Sequence, residues 1–304
     1  MTDIAEVLKK NRPGLSDGSL RTYKSILVNL VKQMGHDWKT PEEIIAHYKQ
    51  IHDHLKDVPA KSRKTRLSAL IVFISGTKGN EKAIASFRDQ MMTDGKETDE
   101  QDLKQELTDR QRQGMMSWAE VMKHYEDLAS EVEPLLKRET LDKSHFQRVQ
   151  LFVLLSCIVL IPPRRSLDWC AFKLRNVDKE KDNYLEIEKR KPVFVFNQYK
   201  IAKTKGQQRE EVPKRLHAIL KAWEKLNPHD WLLMNTKQTG PMTPPQLTAC
   251  LYSFFKQPTS TTMLRHIFLS DKYKDVPALK EMMETADKMG QQNLETALKY
   301  VKKT

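Results

Sequence analysis

Residues 184–213 read YLEIEKRKPVFVFNQYKIAKTKGQQREEVP. Three runs, YLEIE, VFVFNQYKI and QREEVP, are separated by Lys, Gly and Gln turns, a texture that predicts a small antiparallel sheet. On both sides the periodicity changes to that of helices. After Pro213, the residues Leu216, Ile219, Leu220 and Trp223 fall on one helical face, and the pattern stays helical towards the end. The expected fold class is therefore mainly α with a small antiparallel β-sheet.

Upstream, an apolar helix is expected around residues 146–161, preceded by Ser117-Trp118-Ala119-Glu120, which has the form of a capping box. In the first hundred residues Leu20, Tyr23, Leu27, Leu30, Val31 and Met34 recur at helical spacing behind Ser19, a candidate N-cap. Thr40-Pro41-Glu42-Glu43 is a cap, a first-turn proline and early acids, followed by Ile44, Ile45, Tyr48 and Ile51. A further helix is predicted over 61–74. Between 93 and 113 only Leu103 and Leu107 interrupt a polar run, the composition of a solvated linker. This predicts a helical domain over 1–92, a linker over 93–113 and a second domain over 114–304.

The 304 residues include 52 Lys+Arg against 40 Asp+Glu, a net charge of +12 that favours polyanionic partners. The longest apolar run, 151–161, is far shorter than the roughly 20 residues a bilayer requires, so a buried core helix and no membrane partner are expected. The first residues lack a secretory apolar stretch, which predicts an intracellular protein located with its polyanionic partner rather than a secreted one. Cys157, Cys170 and Cys250 are dispersed and predicted to be reduced. His47, His52 and His54 lack the i, i+4 spacing of a metal pair, and no metal or cofactor is expected.

Four segments combine residues suited to metal-independent phosphodiester chemistry: IPPRRSLDW at 161–169, YKIAKTKG at 199–206, TTMLRHIF at 261–268 and MGQQNLETALKY at 289–300. Such chemistry needs cations on the non-bridging oxygens, an in-line nucleophile and a proton donor for the leaving oxygen. Arginine forks match phosphate geometry and stay charged. Lysine and tyrosine supply the other two functions.

In order and spacing these segments resemble the tyrosine recombinases, the phage-type integrase family. Arg165 with Asp168 three residues on is similar to the family's first-arginine motif, with Arg164 as the alternative. Leu264-Arg265-His266 is similar to the second-arginine box, and the turn in 199–213 to the β-hairpin that carries the family's lysine. Gly290-Gln291 followed by Tyr300 reproduces the nine-residue interval between the family's Gly-His or Gly-Trp pair and its nucleophile. The wording is most similar to integrases of eukaryotic DNA viruses and Crypton-like mobile elements. Two positions depart from the family: Thr262 stands where His or Lys is usual, and Gln291 where His or Trp is usual.

The resemblance implies a helical core-binding domain followed by a mixed α/β catalytic domain. It also implies double-stranded DNA as partner and a tetrameric synapse of the chain with itself. Arg165 and Arg265 are expected to grip the phosphate, and Tyr300 to attack phosphorus. Lys203, or Lys205 as its alternative, is expected to protonate the leaving 5′-oxygen; Lys200 is less favoured. Thr262, Gln291, Asp168 and His266 have supporting parts, with His266 packed behind Arg265. Lys61, Arg63, Lys64 and Arg66 open a helix whose other face is apolar and are candidate phosphate contacts. Two other readings use the same residues, a type IB topoisomerase-like nicking-closing enzyme and a non-catalytic DNA-binding protein on a decayed recombinase scaffold.

Overall fold

The computed structural model describes residues 3–188 and 191–289. They form two compact units, one of residues up to Glu106 together with those from Pro277 onward, the other Leu107–Val276.

The first unit is helical: α1 (Ile4–Asn11), α2 (Asp17–Gln33), α3 (Pro41–Ala46), α4 (Tyr48–His54), α5 (Ala60–Ile74) and α6 (Glu81–Leu103). Ser16, not Ser19, caps α2: its hydroxyl accepts from the Ser19 amide, so Ser19 already lies in the first turn. The Thr40–Glu43 capping box forms with Pro41 as first helical residue. The helix expected behind it divides at His47 into α3 and α4. Leu27, Leu30, Ile51, Leu67, Leu70, Phe73 and Phe87 build the core.

Helix α6 runs through half of the stretch expected as a linker. Polarity misleads there because one of its acids is structural. Asp94 is fully buried and accepts from Arg63 Nε and Nη2, the closest contact being 2.7 Å, while Gln90 Nε2 donates to it at 2.8 Å. Burial alone raises a carboxyl pKa, but here the Arg63 and Gln90 hydrogen bonds and the adjacent charges outweigh it and hold Asp94 below its ordinary value. The two compact units divide at Glu106, inside the expected linker, and residues 277–289, which include α15, are grouped with the first unit rather than with the second.

The second unit comprises α7 (Asp109–Gly114), α8 (Trp118–Val132), a 3₁₀ turn (Leu135–Lys137), α9 (Lys143–Val159) and α10 (Ser166–Cys170). Then come β1 (Phe172–Lys173), β2 (Asn183–Glu188), β3 (Lys191–Phe196), α11 (Ala202–Lys205) and β4 (Gln208–Glu211), followed by α12 (Lys214–Leu226), α13 (Pro244–Phe255) and α14 (Thr261–Lys272). The last described helix, α15 (Leu279–Lys288), belongs to the first unit. Helix α9 is buried on all sides from Val149 to Ile158, as expected for a central helix. Among the described residues no helix is long and apolar enough to cross a membrane. The three cysteines are unpaired, and burial pushes the Cys170 thiol up to about 12.

The sheet has the order β1-β2-β3-β4 and is mixed rather than purely antiparallel. β2, β3 and β4 pair antiparallel, but the short β1 lies parallel to β2, Phe172 opposite Asn183. β3 is central, and Val193, Phe194, Val195 and Phe196 are all buried, with Phe194 and Phe196 packing against Trp169 and Phe172. The run expected to continue as strand to Ile201 stops at Phe196. Asn183, fully buried, accepts from the Asn197 and Gln198 amides at 2.8 and 2.7 Å and donates to the Gln198 carbonyl, turning the chain away from the ladder.

Candidate functional site

Arg164, Arg165, Asp168, Tyr199, Gln208, Glu210 and Arg265 line a small cleft of about 230 Å³ in the second unit. Three elements meet there. Arg165 is the N-cap of α10, β4 carries Gln208 and Glu210, and α14 carries Arg265.

The two adjacent arginines are treated oppositely. Arg164 is anchored: Nε donates to Asp168 Oδ2 at 2.9 Å, Nη2 donates to Gln208 Oε1 at 2.9 Å, and Nη1 lies 3.6 Å from Glu210 Oε2. Its guanidinium also sits 3.8 Å over the Phe196 ring. Asp168 is thus held by Arg164, four residues back, and not by Arg165 as its spacing suggested. The choice falls before the helix begins, because Arg165 is the extended N-cap of α10 and in extended backbone neighbouring side chains leave in opposite directions. Arg165 is half-buried and has no hydrogen-bond or ion-pair partner among the described residues, and the same is true of Arg265. Burial, then the neighbouring Arg165 and Arg164 cations, lower the Arg265 pKa from its ordinary value, with Asp168 opposing. An arginine remains charged regardless. The result is a pair of like charges, close enough to feel each other, with their donors unspent.

The acids beneath them are desolvated. Burial raises the pKa of Asp168 against the pull of Arg164 and Arg165, and raises that of Glu210 against Arg164. Asp168 Oδ1 is buried without a partner.

Several residues that build the site carried no separate sequence signal. Ser166 Oγ and Thr261 Oγ1 lie 2.8 Å apart, clipping the first turn of α10 to the first turn of α14 and so Arg165 to the helix of Arg265. Asn183 Nδ2 donates to the Asp168 carbonyl at 2.9 Å, tying β2 to α10. Gln208 and Glu210 occupy alternate positions of β4, and that two-residue repeat is the one clue the sequence held to their shared face.

The remaining expectations are met unevenly. Lys200, Lys203 and Lys205 are exposed, and none lines the cleft. The connection that carries them is not a tight hairpin turn: it holds the one-turn α11, closed by Tyr199 Oη donating to the Gly206 carbonyl at 2.6 Å. His266 does not pack behind Arg265. It is exposed, its Nε2 lies 3.5 Å from Gln111 Nε2, and with Thr262 one turn earlier it lines a separate groove between α7 and α14. Gly114 permits that approach, since a Cβ there would fall 2.3 Å from the Pro258 carbonyl oxygen. Gln291 and Tyr300 lie outside the described residues.

Of the four basic residues at the start of α5, Arg63 is engaged within the protein. Besides gripping Asp94, its Nη1 donates to the carbonyls of Lys56 at 2.6 Å and Val58 at 3.0 Å. Lys61 reaches Asp102 at 3.5 Å on the surface. Lys64 and Arg66 are half-buried.

No protein-family model matches the chain, and no curated protein is similar to it at a significant level.

Proposed function

We propose that the chain is a site-specific DNA recombinase or integrase of the tyrosine recombinase type, which cleaves and rejoins strands of double-stranded DNA through a 3′-phosphotyrosyl intermediate. One observation above all supports this reading: Arg165 and Arg265, both without protein partners, line one cleft while Arg164 beside them is fully engaged. Two unspent guanidinium forks at one position suit a tetrahedral oxyanion such as a phosphodiester.

In the proposed reaction the Tyr300 oxygen bonds to phosphorus and the bond to the 5′-oxygen breaks, with the proton for that oxygen supplied by Lys203 or Lys205. The phosphotyrosyl bond conserves the energy of the phosphodiester, so rejoining requires no ATP. The arginines stabilise the charge that develops on the non-bridging oxygens. Strand exchange requires four such chains in a synapse. Neither Thr262 nor Gln291 can act as a general base near neutral pH, so Tyr300 loses its proton slowly.

Incubating the chain in EDTA with a nicked duplex that traps the cleaved strand is expected to give a covalent protein–DNA band on a denaturing gel, absent with Tyr300→Phe. No band on the proper target sinks the enzyme reading in favour of a non-catalytic DNA-binding protein. A band with relaxed plasmid but no recombinant product identifies a topoisomerase-like enzyme instead.

A further inference from the structure

Away from the arginine cleft, the second unit carries a trough between the 3₁₀ turn and α12. Two depressions, of about 620 and 440 Å³, share Glu139, Lys225 and Leu226 and so run into one another. Neither shares a lining residue with the arginine cleft. Ala218 and Ala222, one turn apart on α12, keep part of the floor low, where longer side chains would fill the gap.

Six cations line it: Lys137, Arg138, Lys143, Lys221, Lys225 and Lys237. They come from three separate stretches of chain, all six are exposed, and none of their side chains has a hydrogen-bond or ion-pair partner among the described residues. Glu139 is the one acid on the lining. Elsewhere in the same unit cations are matched, as in Arg215–Glu126, Lys173–Asp182 and Lys179–Glu186. A charge run on one helix is ordinarily a solvated face. Cations converging on a concave surface from the 3₁₀ turn and the start of α9, from α12 and from a loop are a different arrangement, because their mutual repulsion is relieved by a polyanion laid along the trough.

We propose that this trough binds the phosphate backbone of a DNA duplex, as a second site separate from the arginine cleft. A duplex fits better than a single strand because single-strand sites add aromatic platforms for the bases. The one aromatic side chain of the lining, Phe146, is buried against Trp223. Backbone contacts of this kind position nucleic acid without reading its sequence. Such binding does not require Tyr300 chemistry.

The test uses the full chain with Arg165→Ala and Arg265→Ala, which removes the cleft as a phosphate site, and a fluorescent 20-base-pair duplex titrated at several salt concentrations. Residual duplex binding is expected. Adding Arg138→Gln, Lys221→Gln and Lys225→Gln should reduce the slope of log affinity against log salt by roughly 0.9 for each phosphate no longer neutralised, with melting unchanged because all three side chains are exposed. No residual binding, or a slope unaltered by the triple replacement, overturns the proposal. So does tighter binding of an oligothymidylate than of the duplex, or a triple replacement that weakens binding to acidic phospholipid vesicles and not to the duplex. The covalent Tyr300 assay separates this proposal from the strand-exchange reading: failure there in the unmodified chain leaves the trough untouched.

Discussion

Arg164 and Arg165 are identical side chains one residue apart, and their surroundings alone give them opposite roles. Arg164 compensates Asp168 and Glu210 and stacks on Phe196, whereas Arg165 faces the cleft uncommitted. Replacing Arg164 with Ala leaves buried acid without its cation and is expected to cost about 3–5 kcal/mol in urea unfolding. Arg165→Ala should change stability by no more than about 0.5 kcal/mol, yet slow formation of the covalent DNA adduct by roughly 100- to 1000-fold, the scale of losing one preorganised donor. If Arg164→Ala folds normally and only cleavage suffers, the roles are reversed. The Arg-Arg-x-x-Asp pattern was legible in the sequence, but both arginines lie within reach of the acid in sequence, and only the extended entry into α10 shows which one takes it.

At the scale of elements, the instructive case is the pairing of α5 with α6. The stretch behind Thr93 is polar, and polarity ordinarily marks solvent, but Asp94 is fully buried against Arg63. The same pair bears on two expectations at once, since α6 occupies half of the stretch expected as a linker and Arg63, expected at DNA phosphates, is paired with Asp94. Removing one partner strands the other in the interior, so Asp94→Ala is expected to destabilise the chain by about 3–5 kcal/mol. The pH dependence has a definite sign. The folded carboxyl lies below its free value of about 3.9, so the folded state binds the proton less tightly than the unfolded chain does. The stabilisation is complete above the free value and disappears as pH falls through the folded one. Urea midpoints of the unmodified chain and Asp94→Asn should therefore differ by a constant amount from neutral pH to about pH 5 and converge below about pH 4. A gap that widens in acid contradicts the assignment.

For the whole molecule, the division into two units has a direct consequence. Leu107–Val276 has its own core around Tyr125, Phe152, Trp169, Phe194 and Trp223 and carries both cleft arginines, but not Tyr300. A fragment over 107–276 is expected to melt cooperatively and to bind duplex DNA in a salt-dependent way while forming no covalent adduct. A fragment without a cooperative transition shows that its core is incomplete alone, and a covalent adduct from it moves the nucleophile away from Tyr300.

Sequence by itself determined the features that depend on local periodicity and local chemistry. The capping boxes at Thr40 and Ser117, the apolar helix through Phe152 and the β-rich patch after Tyr184 are readable because backbone geometry converts spacing into a face. Tertiary structure decided whatever depends on which charges are satisfied. It assigned Arg63 to Asp94 and Arg164 to Asp168, brought Ser166 against Thr261, and left Arg165 and Arg265 without partners in one cleft. A cation's freedom to bind a ligand is set by what surrounds it in space, and residues 31 or 95 positions away in sequence, as Asp94 is from Arg63 and Thr261 from Ser166, have no local signature.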